Sequence, residues 1–461
     1  MDPSSQTWRI AIFTELLQRF AEKSPVTVMV HGLLERMLNA TKIDQWFEAV
    51  SETQYTRKIL FSSLVSLLLQ VVCRVRSTVH AAYVDSDIDA SRVAVYDKLK
   101  HVEPHTSREI VRYTALESEA IIRELKGGNP VLLPGYRVKL LDGNCIEATE
   151  HRLKVLRDTK AGALPGKSLV IFDPELDIAL DVIPCEDGHA QERSLLSQVL
   201  ATVERRDVWV ADRNFCVLSF LMGLAQKGAF FVIRQHQQTP FKPLSDMVFI
   251  GESETGKVYE QDVLLRLDDT ELVVRRILVK LHKPTRNRET ELYVFTTLPR
   301  GDADAVQVAD LYRDRWGIET AFQKLEKYLH SEINTLGYPK AALFGFCLAL
   351  VAFNMYAVVM AAIRAAHPDK KVNDEVSDYY IAEEISRVYG GMTLIVSEQD
   401  WSIFTTGSVA EVSAALFYLA SKMNLAKFKK HKRGPKKPPT PKNKFKGQPH
   451  VSTARLLANR S

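Results

Sequence analysis

The sequence predicts an α/β fold class in which an all-α N-terminal domain precedes a mixed domain that carries a β-rich insertion. Gly32 is the only glycine in the first 126 residues, and apolar residues recur there at helical spacing. After residue 130, short apolar runs bounded by turn residues alternate with helical segments. Runs rich in Val, Leu and Ile then crowd together between residues 246 and 299, which predicts the insertion.

The N-terminal domain, residues 1–126, is predicted to contain helices over Trp8–Phe20, Val26–Leu38 and residues 59–84. In each of these segments apolar side chains return every three or four positions, as one buried face of a helix requires. The domain ends at the run Lys126-Gly127-Gly128-Asn129-Pro130. Glycine and proline in succession are a strong helix stop signal, so we expect the boundary there.

The mixed domain begins with residues 130–236, in which five apolar runs are predicted to be strands. The strands are Tyr136–Leu141, Ser168–Phe172, Leu176–Ile183, Asp207–Ala211 and Ala229–Ile233, with helices at Gln191–Arg205 and Val217–Gln226. The element order is therefore β-β-β-α-β-α-β, followed later by a helix. This is the order of the ribonuclease H-like fold, in which the first and fourth strands lie side by side.

The rest of the chain divides where the pattern changes. Residues 237–302 are the β-rich insertion, with strands predicted at Met247–Ile250, Lys257–Leu267, Glu271–His282 and Glu291–Leu298. Helical spacing returns at Ala303 and continues to about His330. Residues 303–365 are accordingly assigned to the second part of the mixed domain, and residues 366–426 to a C-terminal helical region.

One apolar segment has two possible interpretations. Residues Ala341 to Ile363 run for 23 positions without a charge, which is long enough to span a bilayer. Asn354 interrupts the segment, and many of its members are Ala, Gly or Cys. These features favour a helix buried on all sides of a large core, and we therefore expect no membrane partner.

Charge is distributed unevenly along the chain. Residues 427–461 hold 12 Lys or Arg and no Asp or Glu, which leaves 49 basic and 56 acidic residues in 1–426, a net charge of −7. Ten of the basic residues and four prolines fall within 427–446, a composition that cannot build a core. We expect residues 427–461 to be a disordered basic tail that adds nonspecific contacts to phosphates.

The overall composition excludes several classes of protein. With 46% hydrophobic and 25% charged residues, the chain is neither wholly disordered nor collagen-like. Its five cysteines stand far apart with no Cys-x-x-Cys pair, so a disulfide scaffold, a zinc site and a redox dithiol are all disfavoured. The first residues have no basic or apolar signal-peptide region, and a reducing, cytoplasmic location is expected.

Two aspartates occupy equivalent places in the predicted sheet. Asp142 directly follows the first strand and Asp212 directly follows the fourth. Because these strands are neighbours in the inferred order, the two carboxylates could share a divalent metal at one edge of the sheet. The alternative is ordinary turn chemistry, since Asp before Gly or Asn is common in turns.

A third candidate carboxylate lies on the helix that follows the insertion. Tyr312, Arg315 and Glu319 are spaced three and four residues apart, so they share one helical face. Glu319 could complete the metal site, while Arg315 and Tyr312 could hold a phosphate or a DNA strand. The alternative is a solvated Arg–Glu pair on an ordinary helix.

These motifs together resemble the cut-and-paste DDE transposases of bacterial insertion sequences, specifically the insertion sequence 4 family. The family signature is Tyr, two residues, Arg, three residues, Glu, six residues, Lys, and Tyr312, Arg315 and Glu319 match it. The Lys position falls on Glu326, which departs from the pattern, although Lys324 and Lys327 flank it. The first aspartate is followed by Gly143-Asn144 where the family more often has Gly-Thr. The resemblance covers roughly residues 130–360.

The resemblance implies metal-dependent DNA strand cleavage at element ends and strand transfer into target DNA. Asp142, Asp212 and Glu319 would be the catalytic residues and would bind two Mg²⁺ or Mn²⁺ ions, while Tyr312, Arg315, Lys324 and Lys327 would contact DNA phosphates. The N-terminal helices would bind the ends, a homodimer would pair two ends, and the bacterial nucleoid would be the place of action. A ribonuclease H-like nuclease without strand transfer and a non-catalytic DNA-binding descendant are the alternatives.

Other candidate residues carry weaker predictions. The run Gly162–Ser168 resembles a phosphate-binding loop but is one residue short and leads into a strand, not a helix. His189 and His236 have no ligand partners at useful spacing and are predicted to be surface or satisfied polar residues. Trp316, beside Arg315, is predicted to be a core residue and not a platform for base stacking.

Overall fold

A computed structural model describes residues 14–54, 58–147, 153–157, 159–285, 288–384, 386, 396–431 and 449–459. The chain divides into two compact units. Unit 1 comprises Met1–Gly128, Glu147–Ala163 and Leu325–Pro449, and unit 2 comprises Asn129–Ile146, Leu164–Lys324 and His450–Ser461. The predicted helix at Trp8–Phe20 lies partly outside the described residues, which begin helix α1 at Glu15.

Unit 1 is built from helices. They are α1 (Glu15–Lys23), α2 (Pro25–Leu38), α3 (Ala40–Val50), α4 (Phe61–Val72), α5 (Val79–Val84), α6 (Arg92–Leu99), α7 (Pro104–Leu125), α8 (Lys154–Arg157), α13 (Pro339–Ala366), α14 (Val372–Glu375), α15 (Ser402–Thr405) and α16 (Val409–Ser421). The all-α prediction for the N-terminal part of the chain is confirmed over the described residues.

The apolar helix α13 lies at the centre of unit 1, where it packs against α7, α16, α4 and α2. By length and composition it could cross a membrane, but nearly all of its apolar residues are buried within the protein. Asn354 is also fully buried. Burial on all sides explains why this helix lacks the polar face of an amphipathic helix. Residues 303–365 were predicted to form the second part of the mixed domain, whereas α13 belongs to unit 1.

The end of α7 shows why the glycine stop signal is needed. Lys126 adopts a left-handed conformation with φ 53°, and its N–H and that of Gly127 bond to carbonyls of the last turn. A Cβ on Gly127 would lie 2.1 Å from the carbonyl oxygen of Ala361 in α13. Only glycine permits α7 and α13 to approach this closely, so the residue ends one helix and seats another.

The start of α7 is fixed by a buried carboxylate. Glu103 accepts hydrogen bonds from the backbone N–H groups of Glu52 and Thr53 at 2.9 and 2.7 Å, and from the Thr53 and Thr106 hydroxyls. Burial opposes ionisation of this group, but the hydrogen bonds outweigh it and lower the pKa of Glu103 from 4.5 to about 2. The carboxylate thereby ties the loop after α3 to the first turn of α7.

Replacing Glu103 with Gln is expected to destabilise unit 1 by about 1–3 kcal/mol at neutral pH, because the amide cannot satisfy the same set of donors. Since the folded-state pKa is depressed, this contribution is complete above about pH 4.5 and is lost as the pH falls towards 2. Urea unfolding of wild type, Glu103→Gln and the exposed control Glu124→Gln across this range measures it. If the difference in unfolding free energy between Glu103→Gln and wild type did not decrease at low pH, the stabilising role of the Glu103 carboxylate would be contradicted.

Unit 2 is built around a sheet. The strands of this sheet are β1 (Arg137–Ile146), β3 (Gly166–Asp173), β4 (Ile178–Cys185), β5 (Asp207–Ala211), β6 (Phe230–Arg234), β7 (Lys242–Pro243), β8 (Val248–Glu252), β9 (Gly256–Leu267), β10 (Thr270–Leu281) and β11 (Glu291–Thr296). The short β12 (His450–Ser452) of unit 2 lies outside the sheet, and the short β2 (Gly162–Leu164) contains the unit boundary after Ala163. Its helices are α9 (Leu196–Ala201), α10 (Leu218–Gln226), α11 (Ala305–Asp314), α12 (Trp316–Tyr328) and α17 (Thr453–Ala458), with the unit boundary after Lys324 of α12.

The strand order over the described residues is β4-β3-β1-β5-β6-β11-β10-β9-β7, with β8 also paired to β9. The pairs β1–β5 and β5–β6 are parallel, and the others are antiparallel. The sheet therefore places the first and fourth predicted strands side by side, as expected. The insertion strands continue the same sheet through the β11–β6 pair, an arrangement that strand patterns alone did not predict.

The prediction of a disordered tail over residues 427–461 was wrong for the described residues 427–431 and 449–459. Phe428 is buried at the end of the 3-10 turn Leu425–Phe428, and residues 449–459 form β12 and α17. Arg455 of α17 pairs with Asp187 of the same unit at 2.7 Å, and Ser452 and Thr453 are buried. This segment has apolar residues and few charges, unlike the lysine-rich segment before it. Most of that lysine-rich segment, residues 432–448, lies outside the described residues.

Candidate active site

Asp142 and Asp212 are placed together by the register of two parallel strands. Leu141 of β1 pairs with Ala211 of β5, so the residues that follow them occupy matched positions. Asp212 begins the 3-10 turn Arg213–Phe215. Asp142 does not end its strand as predicted, because β1 continues to Ile146 and pairs with β3 along that extension. The antiparallel partner supplies the hydrogen bonds that keep the chain extended beyond the aspartate.

The segment that carries the third carboxylate is divided between two helices. α11 begins with a capping box between Asp304 and Gln307 and ends at Asp314, and α12 begins at Trp316. Tyr312 lies in the last turn of α11, Arg315 at the junction, and Glu319 in the first turn of α12. A single continuous helix was expected here. Arg315 at the junction nevertheless keeps helical backbone angles, φ −50° and ψ −32°, so the break is a local change to i to i+3 hydrogen bonds.

The Arg315 guanidinium joins two of the three predicted catalytic carboxylates. Its Nη1 lies 3.3 Å from Asp142 Oδ2 and its Nη2 lies 2.7 Å from Glu319 Oε1. The side chain is only 9% exposed, and its Nε has no hydrogen-bond partner among the described residues. Tyr312 donates its hydroxyl to Asp212 Oδ1 at 3.4 Å, which ties the third carboxylate to the same helical segment. The structure thus brings together all five residues of the predicted core of the site.

Burial dominates the electrostatics of the site. Burial raises the pKa of Asp142 to about 6, and the neighbouring carboxylates of Glu319 and Glu192 act in the same direction, against Arg315 and a hydrogen bond from Gly143. Burial also raises the pKa of Tyr312 to about 12, so its hydroxyl stays a donor at neutral pH. A cation beside Asp142 would oppose the effect of burial and favour the charged form of this carboxylate.

The residues fit a magnesium-type ion by chemistry. Carboxylate oxygens are the hard ligands that Mg²⁺ and Mn²⁺ prefer, and such ions are often held by one or two carboxylates plus substrate phosphate. Among the described residues no group of three His, Cys, Asp or Glu side chains is already arranged around a metal position. The ion pairs of Arg315 partly explain why, since its guanidinium contacts oxygens of Asp142 and Glu319 that a metal ion would otherwise take.

The two lysines proposed to replace the missing signature Lys have other partners. Lys324 Nζ lies 3.4 Å from Asp177 Oδ2, in the turn between β3 and β4. Lys327 belongs to unit 1, where its ammonium group lies 5.0 Å from the centre of the Tyr328 ring. A phosphate-binding role for the two lysines remains a prediction.

Trp316 corrects one expectation. It was predicted to be a core residue, but its side chain is 56% exposed at the start of α12. The buried face of this helix is formed by Ile318, Ala321 and Leu325 instead. This exposure favours the alternative, in which the indole next to Arg315 is a surface on which a base stacks.

Two residues near the site were missed by sequence reasoning. Arg234 ends β6, lies 4.0 Å from Asp212 Oδ1 and pairs with Glu289 at 2.5 Å. Its position at the end of a strand parallel to β5 is the same signal that identified Asp212, so it could have been found. Glu192 reaches Gly143 from the 3-10 turn Glu192–Leu195, and no spacing in the sequence marks it.

The fold and the site define a mixed α/β domain with three carboxylates gathered by one helical segment at the edge of its sheet. Residues 133–355 match the family model described as the transposase DDE domain, and Asp142, Asp212 and Glu319 all fall within the match. This similarity points to DNA transposition and to an enzyme of the nuclease and transesterase kind, a class that generally uses divalent metal ions.

A relative from Sinorhizobium fredii, named "Putative transposase y4zB", is 24% identical over 226 residues. The match covers 44% of this chain and 58% of the relative, so the chain spans less than two thirds of that protein.

Proposed function

We propose that the protein is a DDE transposase of the insertion sequence 4 family with a ribonuclease H-like catalytic domain, which cleaves DNA at element ends and transfers the cut strand to a target. The observation that carries this proposal is the shared guanidinium of Arg315, which joins Asp142 to Glu319 while Tyr312 holds Asp212. The strand order β4-β3-β1-β5-β6, with parallel β1–β5 and β5–β6 pairs, supports the fold assignment.

The proposed reaction occurs at one set of residues in two steps. Water attacks the phosphorus at the element end, and the 3′-oxygen leaves as a 3′-hydroxyl. This 3′-hydroxyl then attacks a phosphodiester of the target, whose own 3′-oxygen leaves, so that one ester bond forms as another breaks. Asp142, Asp212 and Glu319 would hold a pair of Mg²⁺ or Mn²⁺ ions, which when bound polarise the phosphodiester and activate the attacking oxygen.

The other residues of the site would position these carboxylates and the scissile phosphate. Tyr312 orients Asp212 through its hydroxyl, and Arg234 reinforces the charge balance of that aspartate. Arg315 would hold Asp142 and Glu319 in place through its two Nη groups and is also the proposed contact to the scissile phosphate, because guanidinium groups bind phosphates through several N–H groups. Such a site contributes mainly by placing charge where it develops during the reaction.

The remaining features follow from the same proposal. The helices of the N-terminal part of the chain would bind the element ends, a homodimer would pair two ends, and the reaction would occur on DNA in the bacterial cytoplasm.

An assay of the purified full-length chain with Mg²⁺, DNA carrying the element's own ends and a circular target plasmid tests the proposed function. Joined end–target products support a transposase. Cut ends without joining favour a nuclease of the same fold, and bound but intact DNA favours a non-catalytic descendant.

The lysine-rich segment provides a separate prediction about DNA affinity. Replacing the ten Lys and Arg of residues 427–446 with Gln should weaken binding to end and random duplexes alike and lower the salt slope of log affinity by several units, since each phosphate neutralised adds about 0.9. Charge replacement is cleaner than deleting residues 427–461, which would also remove β12 and α17 of unit 2. An unchanged slope would exclude the segment from the DNA interface; selective loss of end preference would make it a sequence reader.

A further inference from the structure

A cavity of about 480 Å³ opens on unit 2. It is lined by polar side chains from β3, from the loop after β4 and from the turn after β5: Lys167, His189, Gln191, Glu192, Arg193 and Asn214. None of these residues belongs to the three-carboxylate site described above. A cavity with this lining is too open and polar for an apolar ligand, and it is suited to an anion that remains partly hydrated.

The cavity adjoins the carboxylates of the candidate active site. Asn214 follows Asp212 by two residues, in the same 3-10 turn. Glu192 lies against Gly143, since a Cβ on that glycine would be 2.1 Å from Glu192 Oε1. Lys167 pairs in register with Cys145, three residues beyond Asp142 on β1, so its side chain projects from the other face of the sheet, the face of Gly143. Glu192 and Asn214 therefore place one wall of the cavity next to the two aspartates, and Lys167 forms a wall beyond the end of β1.

The charge of the lining favours a phosphate. Arg193 donates its Nε to the carbonyl oxygen of Asn214 at 3.2 Å, which positions the guanidinium at the cavity wall, and the residue is exposed. Lys167 is half-buried on β3, so its ammonium group is held at the cavity wall by a strand rather than by a loop. Glu192, the one carboxylate of the lining, is directed towards Gly143. Two permanent cations thus face the open space.

Lys167 also explains an unused motif. The run Gly162–Ser168 resembles a phosphate-binding loop, but it folds into β2 and the start of β3, so its backbone forms no loop at a helix N-terminus. The lysine of the run nevertheless lines a cavity with an arginine. Any phosphate binding by this run would therefore use the Lys167 side chain and not the backbone N–H groups of a loop.

We infer that this cavity binds a backbone phosphate of the DNA strand whose neighbouring phosphodiester lies at Asp142 and Asp212. The inference rests on the proposed function and adds to it the direction in which the bound strand leaves the carboxylates: across β1 and β3, towards the loop that carries Arg193. A phosphate contact there fixes the register of the strand and carries no sequence preference.

Lysine footprinting of the full-length protein tests the inference without relying on catalysis. The protein is treated with an amine-reactive reagent, with and without a 30-base-pair duplex of random sequence, and modified lysines are quantified by mass spectrometry. We expect Lys167 to be protected by DNA. Lys227, exposed at the end of α10 and just before β6, lies at the opposite ends of the parallel strands from the two aspartates and should stay reactive. Protection of other lysines with none at Lys167 overturns the inference and leaves the proposed function intact; absence of DNA binding overturns both.

Charge variants provide the second measurement. Lys167→Glu and Arg193→Gln should each lower the salt slope of duplex binding by about 1 and weaken binding roughly five- to tenfold at 0.1 M salt, because each removes about one phosphate contact. Arg193→Lys should recover most of the lost affinity, and Lys227→Glu should leave the slope unchanged. Circular dichroism checks that the variants are folded. If Lys167→Glu and Lys227→Glu bind the duplex with equal salt slopes of log affinity, the cavity is not a phosphate site.

Discussion

Asp142→Asn, Asp212→Asn and Glu319→Gln are each expected to abolish DNA strand cleavage, with a loss of roughly a hundred- to a thousandfold or more. The amide keeps the shape of each side chain but removes the negative charge that would hold a metal ion beside the phosphodiester. Because phosphate contacts elsewhere on the chain supply most of the affinity for DNA, binding should remain near the wild-type level.

The measurement is cleavage of end-containing DNA in Mg²⁺ and in Mn²⁺, with binding to the same duplex followed in Ca²⁺. Asp268→Asn is the matched control, since Asp268 is an exposed residue in the turn between β9 and β10 and its left-handed backbone, φ 50°, tolerates Asn. Cleavage near the wild-type rate in two of the three carboxylate variants would show that the metal-dependent proposal is wrong. Loss of binding together with cleavage would instead indicate a structural role.

Arg275→Ala is expected to destabilise unit 2 by about 3–5 kcal/mol, because it leaves the carboxylate of Glu260 buried with a weaker partner. Arg275 lies on β10, is almost completely buried, and holds Glu260 of β9 with Nε at 2.7 Å. Its Nη1 also donates to the carbonyl oxygens of Leu298 and Ala303 at 2.8 Å each. One side chain thereby secures the insertion to the segment that leads into α11.

Urea unfolding followed by the near-ultraviolet signal of buried Trp209 measures this loss. Arg266→Ala is the control, since Arg266 forms an exposed pair with Glu271 on the same two strands and should contribute about 0–1 kcal/mol. Arg275→Ala should also reduce cleavage, because the start of α11 sets the path of the segment that carries Arg315 and Glu319. Equal stability losses in the two variants would mean that burial adds nothing to the Arg275–Glu260 pair.

Strand positions were predictable because each strand of unit 2 is a short run of β-branched and aliphatic residues between turn residues. Asp207–Ala211 coincides with β5, and the predicted Lys257–Leu267 differs from β9 by one residue. The neighbouring placement of Asp142 and Asp212 followed from element order alone. Pairing of β11 with β6 was not predictable in this way, since it depends on hydrogen bonds between strands that are about sixty residues apart.

The site was predictable only in part, for a related reason. Tyr312, Arg315 and Glu319 share one helical face and were found by their spacing. The break at Arg315 was not, because the two helices on either side have continuous helical patterns. Glu192 and the cavity with Lys167 and Arg193 depend on where loops return to the sheet, and a single sequence contains no periodic signal for that.

The central position of α13 has a consequence for synthesis of the chain. α7 ends at Leu125, yet the helices that bury its apolar face, α13 and α16, are completed only at Ala366 and Ser421. At about 5–20 residues per second, a ribosome needs roughly 15–60 s to make the intervening 300 or so residues. During that interval the N-terminal helices have only one another to pack against. A fragment ending near residue 128 is therefore expected to aggregate, and chaperone binding to the nascent chain should persist until α16 has emerged.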